Sequence, residues 1–344
     1  MSVSLCQKGS YAKRVSGGPK RMAEQDQQAF EERLRKQIEA YHEAALVYTA
    51  VKLGLPDTLA GAPVTSQQLA AALGLSAPHL HRFLRGLCTL GICEEHTGGT
   101  FALTPFGQSL TSGSHLAMKV QIVVEQYWQP WANLVSTLQT GEAAFEHVFG
   151  ISVFDWRRDN LEQGAMFDSY LAKETTAELS TIIEALDFSG IETVAILQAQ
   201  SAGVSFDRAH AIGMSQPFLQ LLGVAKRVEF VPGNLLEEIP VKADLYLLMG
   251  VLQQWDDAQA RAILANCRKA MPDGSRLAII ERLLPKRACD DPAAIMLDLH
   301  MMAITGGRAR SLAEFELLLS TAGLRLSKAT PTSSGLSIIE VVRE

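Results

Sequence analysis

The 344-residue chain carries 31 basic and 37 acidic side chains, a net charge of −6, and 47% apolar residues. That apolar share can fill the cores of two domains, while a negative chain without a basic block in its folded part is poorly suited to nucleic acid or an anionic membrane surface. No apolar run approaches the roughly 20 residues that span a bilayer, so neither nucleic acid nor membrane is expected as a partner, and a small organic ligand is.

Residues 1–21 contain Lys8, Lys13, Arg14, Lys20 and Arg21 with no acidic residue. They read as a disordered leader. A transit peptide is the competing reading, but the segment lacks the apolar face of a targeting helix. Met22, just before an acidic helical stretch, is an alternative natural start.

Residues 22–110 read as a helical and winged-helix dimerisation domain. From Gln27 to about Leu55 the period is helical, with Phe30, Leu34, Ile38, Tyr41, Ala45 and Val51 on one face. Thr65 and Ser76 each sit where a helix N-cap is needed, and Gly74 between them gives a helix-turn-helix. The turn Thr97-Gly98-Gly99-Thr100 then predicts a β-hairpin, the wing. DNA binding would need a basic recognition helix. Between Tyr48 and Gln108, however, Lys52, Arg82 and Arg85 are offset by Asp57, Glu94 and Glu95, which favours dimerisation. His79 and His81 read as solvated.

Residues 111–185 read as a helical linker and pocket wall, with an aromatic cluster at Tyr127-Trp128-Gln129-Pro130-Trp131. Residues 186–344 alternate strand and helix, with β runs at Thr193–Leu197, Ala209–Met214, Val228–Val231, Asp244–Met249 and Arg276–Ile280. That rhythm predicts an α/β domain built on a parallel sheet with helices on both faces. The five cysteines Cys6, Cys88, Cys93, Cys267 and Cys289 include no C-x-x-C pair, and an odd number makes no disulfide framework; a cytoplasmic protein is expected.

Several segments in order carry a family likeness: Thr140-Gly141-Glu142-Ala143-Ala144-Phe145, Phe167-Asp168-Ser169-Tyr170-Leu171, Val228-Glu229-Phe230-Val231-Pro232-Gly233-Asn234, Val251-Leu252-Gln253-Gln254-Trp255, Met271-Pro272-Asp273-Gly274 and Asp298-Leu299-His300-Met301-Met302. From about Gln27 onward the chain resembles plant-type and bacterial small-molecule O-methyltransferases, such as the caffeate and hydroxyindole enzymes. The resemblance implies a Rossmann-like class I methyltransferase domain, an intertwined homodimer and a role in natural-product metabolism. It also implies a helix bearing Asp298 and His300 along the acceptor pocket. Trp128, Trp131, Phe149, Phe167, Met301 and Met302 are then candidate walls for an apolar or aromatic ligand, with core packing as the competing reading.

Measured against the family pattern, the site is altered. The donor loop reads Leu197-Gln198-Ala199-Gln200-Ser201-Ala202-Gly203, with the one glycine Gly203 where backbone must approach the ligand closely. Only about eleven residues separate the first two expected strands, which leaves little room for a crossover helix. Met214 stands where an acidic residue binds the ribose, Asn234 where an aspartate lies near the adenine, and Met249 where a lysine is frequent. Gln253 replaces the family's catalytic histidine, and an amide takes no proton at neutral pH. Of the two glutamates that orient that histidine, Glu281 remains and Ala309 replaces the other.

These departures lead to the expectation of a methyltransferase-fold enzyme that has lost S-adenosylmethionine-dependent transfer. No cofactor or metal is expected, and the acceptor pocket would serve a rearrangement, cyclisation or elimination with Gln253, Glu281 and His300 as the catalytic candidates. Two alternatives stand beside it: an active S-adenosylmethionine-dependent O-methyltransferase with a divergent donor site and His300 as replacement base, and a non-catalytic partner or metabolite sensor. Glu281 has its own competing reading, a strand-end carboxylate paired with Arg282 or Arg308.

Overall fold

The computed structural model describes residues 19–197 and 234–344. Within it the chain divides into two compact units, one ending at Gln126 and the other beginning at Tyr127.

The first unit opens with α1 (Pro19–Glu39), α2 (Tyr41–Lys52) and α3 (Leu55–Leu59). Phe30, Leu34, Ile38 and Tyr41 are all exposed. The two-residue β1 (Val64–Thr65) leads into α4 (Ser66–Leu73), where Thr65 accepts from the Gln68 amide and the Gln68 side chain returns a bond to the Thr65 N–H. This reciprocal cap satisfies two donors that a helix start otherwise leaves open. Gly74 ends α4 at φ 67°, a left-handed conformation that only glycine adopts at no steric cost.

α5 (Ala77–Thr89) buries Leu80, Leu84 and Leu87, the i, i+4, i+7 stripe of an amphipathic helix. β2 (Cys93–His96) and β3 (Thr100–Leu103) pair antiparallel, and β1 joins the outer side of β3. The winged-helix expectation is therefore met. His79 is exposed as expected, whereas His81 sits partly buried with its ring edge against Phe101, 5.5 Å between centroids.

The second unit begins with five helices: α7 (Trp128–Ala132), α8 (Leu134–Thr140), α9 (Ala144–Phe149), α10 (Val153–Asp159) and the long α11 (Leu161–Ala185). They follow α6 (His115–Ile122) of the first unit, which runs into a π-helical turn over Val123–Tyr127. The sheet then comprises β4 (Val194–Leu197), β5 (Leu245–Met249), β6 (Arg276–Glu281), β7 (Leu324–Pro331) and β8 (Ser337–Arg343), in the spatial order β4-β5-β6-β8-β7.

β4, β5 and β6 run parallel, with Leu245 beside Val194 and Arg276. β8 and β7 complete the sheet antiparallel, so the expected parallel sheet is a mixed one. The reason is local. The alternating stretch 324–331 meets Ser337–Arg343 across a short turn at Gly335, and a short hairpin loop forces antiparallel pairing.

Alternation along β5 sets the two layers. Tyr246 and Leu248 pack toward α12 (Asp257–Ala270) and α14 (Leu312–Thr321), against Ile263, Leu264 and Phe315; Leu245, Leu247 and Met249 pack toward Ile182 and Leu186 at the end of α11. The expected strands at 209–214 and 228–231, the shortened crossover, and the candidates Gln198, Gly203 and Met214 lie outside the described residues.

Candidate active site

The carboxyl ends of three parallel strands carry Leu197, Met249 and Glu281. Such an edge is where open α/β sheets bind ligands, because loops there diverge and leave a crevice.

Glu281 is 1% exposed. After β5 the chain makes a 3₁₀ turn, Leu252–Gln254, and the backbone N–H of Gln253 donates to Glu281 Oε1 at 3.0 Å. Burial pushes this carboxyl up to about 7, partly opposed by the backbone donors of Gln253 and Leu252 and by the charge of Arg310. Among the described residues nothing bonds to its Oε2. The competing reading of Glu281, a pairing with Arg282 or Arg308, is not the arrangement found. Arg282 bonds Asp291 at 2.9 Å, and Arg308 bonds Asp257 and Glu314.

Arg310 fixes the turn instead. Its guanidinium is 1% exposed and donates to Asp257 Oδ1 (2.9 Å), Leu252 O (2.9 Å) and Trp255 O (3.0 Å). Gly307 closes the turn from the other side. A Cβ at that position would lie 2.3 Å from the Gln254 carbonyl carbon and 2.4 Å from the Gln253 oxygen. Backbone atoms cannot give way cheaply, so Gly307→Ala is expected to cost about 1–3 kcal/mol and to lower the unfolding midpoint without changing the slope in urea. A midpoint equal to wild type would show that the turn yields.

A second group of side chains gathers around α13 (Pro292–Ile304). Trp131 Nε1 donates to His300 Nδ1 at 3.1 Å, and the Tyr127 ring meets the imidazole edge-on at 4.6 Å between centroids. Arg157, buried, donates to the Tyr127 hydroxyl at 2.9 Å and stacks its guanidinium 3.3 Å from the centre of the Phe167 ring. Burial and the Arg157 charge push His300 down to about 4. An indole N–H can only donate, so the bonded Nδ1 carries no proton and the neutral ring holds its proton at Nε2. His300 is thus poorly placed to be the replacement base, because its lone pair is already engaged.

The remaining candidates divide by what they touch. Phe149 packs on Phe145 (4.5 Å) and Trp156 (5.4 Å) within an aromatic core. Asp298 accepts from the Ala309 N–H at 2.8 Å and so holds the segment leading to Arg310. Asn234 builds a turn, accepting from the Leu236 N–H and donating to Glu237. Met249 packs in the layer under α11. Trp128 and Met302 are half-buried, and Met301 is buried, on the helices that carry Trp131 and His300.

Arg157 and Arg310 were not singled out from sequence. An arginine in Trp156-Arg157-Arg158-Asp159 looks like any solvated helix end, and only burial reveals its role. Among the described residues no group of three His, Cys, Asp or Glu side chains is placed to hold a metal ion.

A winged-helix unit followed by a Rossmann-like domain whose parallel strands end at Leu197, Met249 and Glu281 fits the class I methyltransferase architecture. An O-methyltransferase domain matches residues 131–325 and an O-methyltransferase dimerisation domain matches residues 36–113, and the chain belongs to this O-methyltransferase family. Phenazine O-methyltransferase PhzM of Lysobacter antibioticus is 35% identical, over 89% of this chain and 94% of that protein. The solved structure of LaPhzM superposes with a TM-score of 0.83 at 33% identity, over 92% of this chain and 99% of that one. The neocarzinostatin-pathway O-methyltransferase NcsB1, crystallised with S-adenosylmethionine and 2-hydroxy-5-methyl naphthoic acid, superposes at 0.74 with 26% identity, over 88% and 96% of the two chains.

These likenesses overturn the expectation of a cofactor-free rearrangement, cyclisation or elimination, and with it the expectation that no cofactor is used. The relatives named are methyltransferases along almost their whole length, and NcsB1 holds the donor itself. Departures from a family pattern at Gln198, Met214, Asn234, Met249 and Gln253 do not by themselves remove binding, because a large ligand is held by several chain segments and by backbone as well as side chains.

Proposed function

We propose that the chain is an S-adenosylmethionine-dependent methyltransferase acting on a small aromatic acceptor of natural-product metabolism, as a homodimer. The likeness to NcsB1 with donor and naphthoate in place carries this reading. The described strand ends suit the donor, since Leu197, Met249 and Glu281 are apolar or acidic and none repels a cationic sulfonium. When bound, S-adenosylmethionine supplies an electrophilic methyl group to an acceptor lone pair.

The chain's own residues limit how that lone pair is made available. Gln253 can donate or accept a hydrogen bond but takes no proton, and the His300 lone pair is held by Trp131. An acceptor that needs no strong base fits best: a hydroxyl already ionised near neutral pH, or a neutral nitrogen. Phenazine-1-carboxylate N-methyltransferase of Pseudomonas aeruginosa, 30% identical over 82% of this chain and 88% of that protein, belongs among the relatives. The side chains of Trp131, Tyr127 and Phe167 would exclude water on the acceptor side. The exposed face of Phe30, Leu34 and Ile38, in a chain with a dimerisation domain, supports association of two copies.

Titration calorimetry with S-adenosylmethionine tests the donor, and transfer of a labelled methyl group to a panel of hydroxy- and amino-aromatics tests the reaction. The expected result is a dissociation constant between about 1 μM and 1 mM together with label in product. Absence of donor binding at millimolar concentration would remove the reading.

A further inference from the structure

The Trp131–His300 bond has a second edge. The imidazole is only partly buried, its Nε2 lies across the ring from Trp131, and no described residue accepts a hydrogen bond from that atom. Tyr127 holds the ring edge-on, and the Tyr127 hydroxyl is bonded to the buried Arg157 guanidinium, whose charge reaches His300. The charged groups of the neighbourhood are Arg157 on α10, Asp168 on α11, which interacts with Arg157, and Asp298 on α13, whose carboxylate is taken by the Ala309 N–H. What this surface offers a ligand is one oriented N–H donor, available to an oxygen acceptor, with the Arg157 charge near it.

We propose that His300 is a specificity-determining hydrogen-bond donor: fixed by Trp131 as the Nε2–H tautomer, it selects aromatic acceptors that carry a carboxylate or carbonyl oxygen on the ring. The inference rests on the methyltransferase reading for the acceptor pocket, but not on catalysis. A site built to donate to an oxygen rejects an analogue lacking it, because its polar group would be desolvated and left unpaired. A hydrogen bond with a charged partner brings a larger gain than a neutral one.

Two measurements on the full chain test this without a methyl donor. The first compares affinity for 3-hydroxy-2-naphthoate with affinity for 2-naphthol, the same ring without the carboxylate. Wild type is expected to prefer the naphthoate by about tenfold or more. His300→Leu should bring the two within about threefold, and His300→Gln, which keeps an amide donor, should hold an intermediate preference. The second uses histidine-selective ¹⁵N labelling, with His300 assigned by the signal lost in His300→Gln. The expected spectrum shows a proton on Nε2 and no titration between pH 5 and 8, and Trp131→Phe, which frees Nδ1 but leaves burial and the Arg157 charge in place, should let part of the proton move to Nδ1.

Equal wild-type affinities, no measurable binding of the naphthoate, a preference unchanged in His300→Leu, or a proton on Nδ1 would each overturn the proposal. The wild-type comparison of naphthoate with naphthol needs no variant and decides even where a variant fails to fold. Because no donor is present, these outcomes are independent of whether methyl transfer succeeds.

Discussion

Arg310→Met is expected to destabilise the second unit by about 2–4 kcal/mol, read as a lowered urea midpoint. Methionine fills much of the space but leaves four acceptors behind: the Asp257 carboxylate and the carbonyls of Leu252, Trp255 and Arg308, all now bonded to one guanidinium. Asp257 shows the coupling from the other side. Burial raises its carboxyl, yet the bonds from Arg310 and Arg308 outweigh that and hold it below the usual aspartate range. Arg310→Lys should recover little, since a single ammonium nitrogen cannot reach acceptors that are now held by three separate guanidinium nitrogens. A loss below about 1 kcal/mol for Arg310→Met would mean that the 3₁₀ turn does not depend on this anchor. If the turn does loosen, the Gln253 N–H leaves Glu281, and methyl transfer should fall with stability.

Glu281→Gln should change how stability depends on pH. The folded carboxyl sits at about 7, pushed up by burial, against 4.5 for the ordinary group, so the folded state binds the extra proton between those values. The stabilisation attached to that proton is complete below about pH 4.5 and is lost as pH rises through about 7. A shift of this size corresponds to about 3 kcal/mol. Glutamine keeps an acceptor for the Gln253 N–H but carries no charge at any pH. Its stability relative to wild type should therefore improve by about 3 kcal/mol between pH 5 and pH 8, measured by urea denaturation at both. A difference that stays flat across this range would show that Glu281 titrates as an ordinary carboxylate.

The elements with a local signature were legible in the sequence. Thr65, Gln68 and Gly74 announce a capped helix and its end, Gly98 and Gly99 announce the wing, and the expected β runs at 193–197, 244–249 and 276–280 match β4, β5 and β6 to within a residue at each end. The antiparallel β7–β8 pair was not, because sheet order depends on which edges meet in space.

In the site, Glu281 could be placed from its position at a strand end, but its partner could not. Arg282 and Arg308 are nearer in sequence or motif, yet the backbone of Gln253 reaches it first. Tautomer and tilt at His300 were equally out of reach, because both depend on Trp131, 169 residues away. The misjudged reaction has a similar origin. The side chains at Gln198, Met214, Asn234, Met249 and Gln253 point by composition to lost binding, whereas backbone can hold a ligand in ways that composition does not describe.

Position 253 is secured by its main chain. Its N–H rests on Glu281, its carbonyl lies against Gly307, and the carbonyls on either side are clasped by Arg310, while its own amide group supports none of this. Scaffold and side chain are thus decoupled at the residue where the family resemblance leads one to expect a proton acceptor. A single nucleotide's worth of change can retune the reactivity of the cleft there without disturbing its framework, which makes this turn a natural point of divergence between enzymes that must ionise their acceptors and those that receive them ready to react.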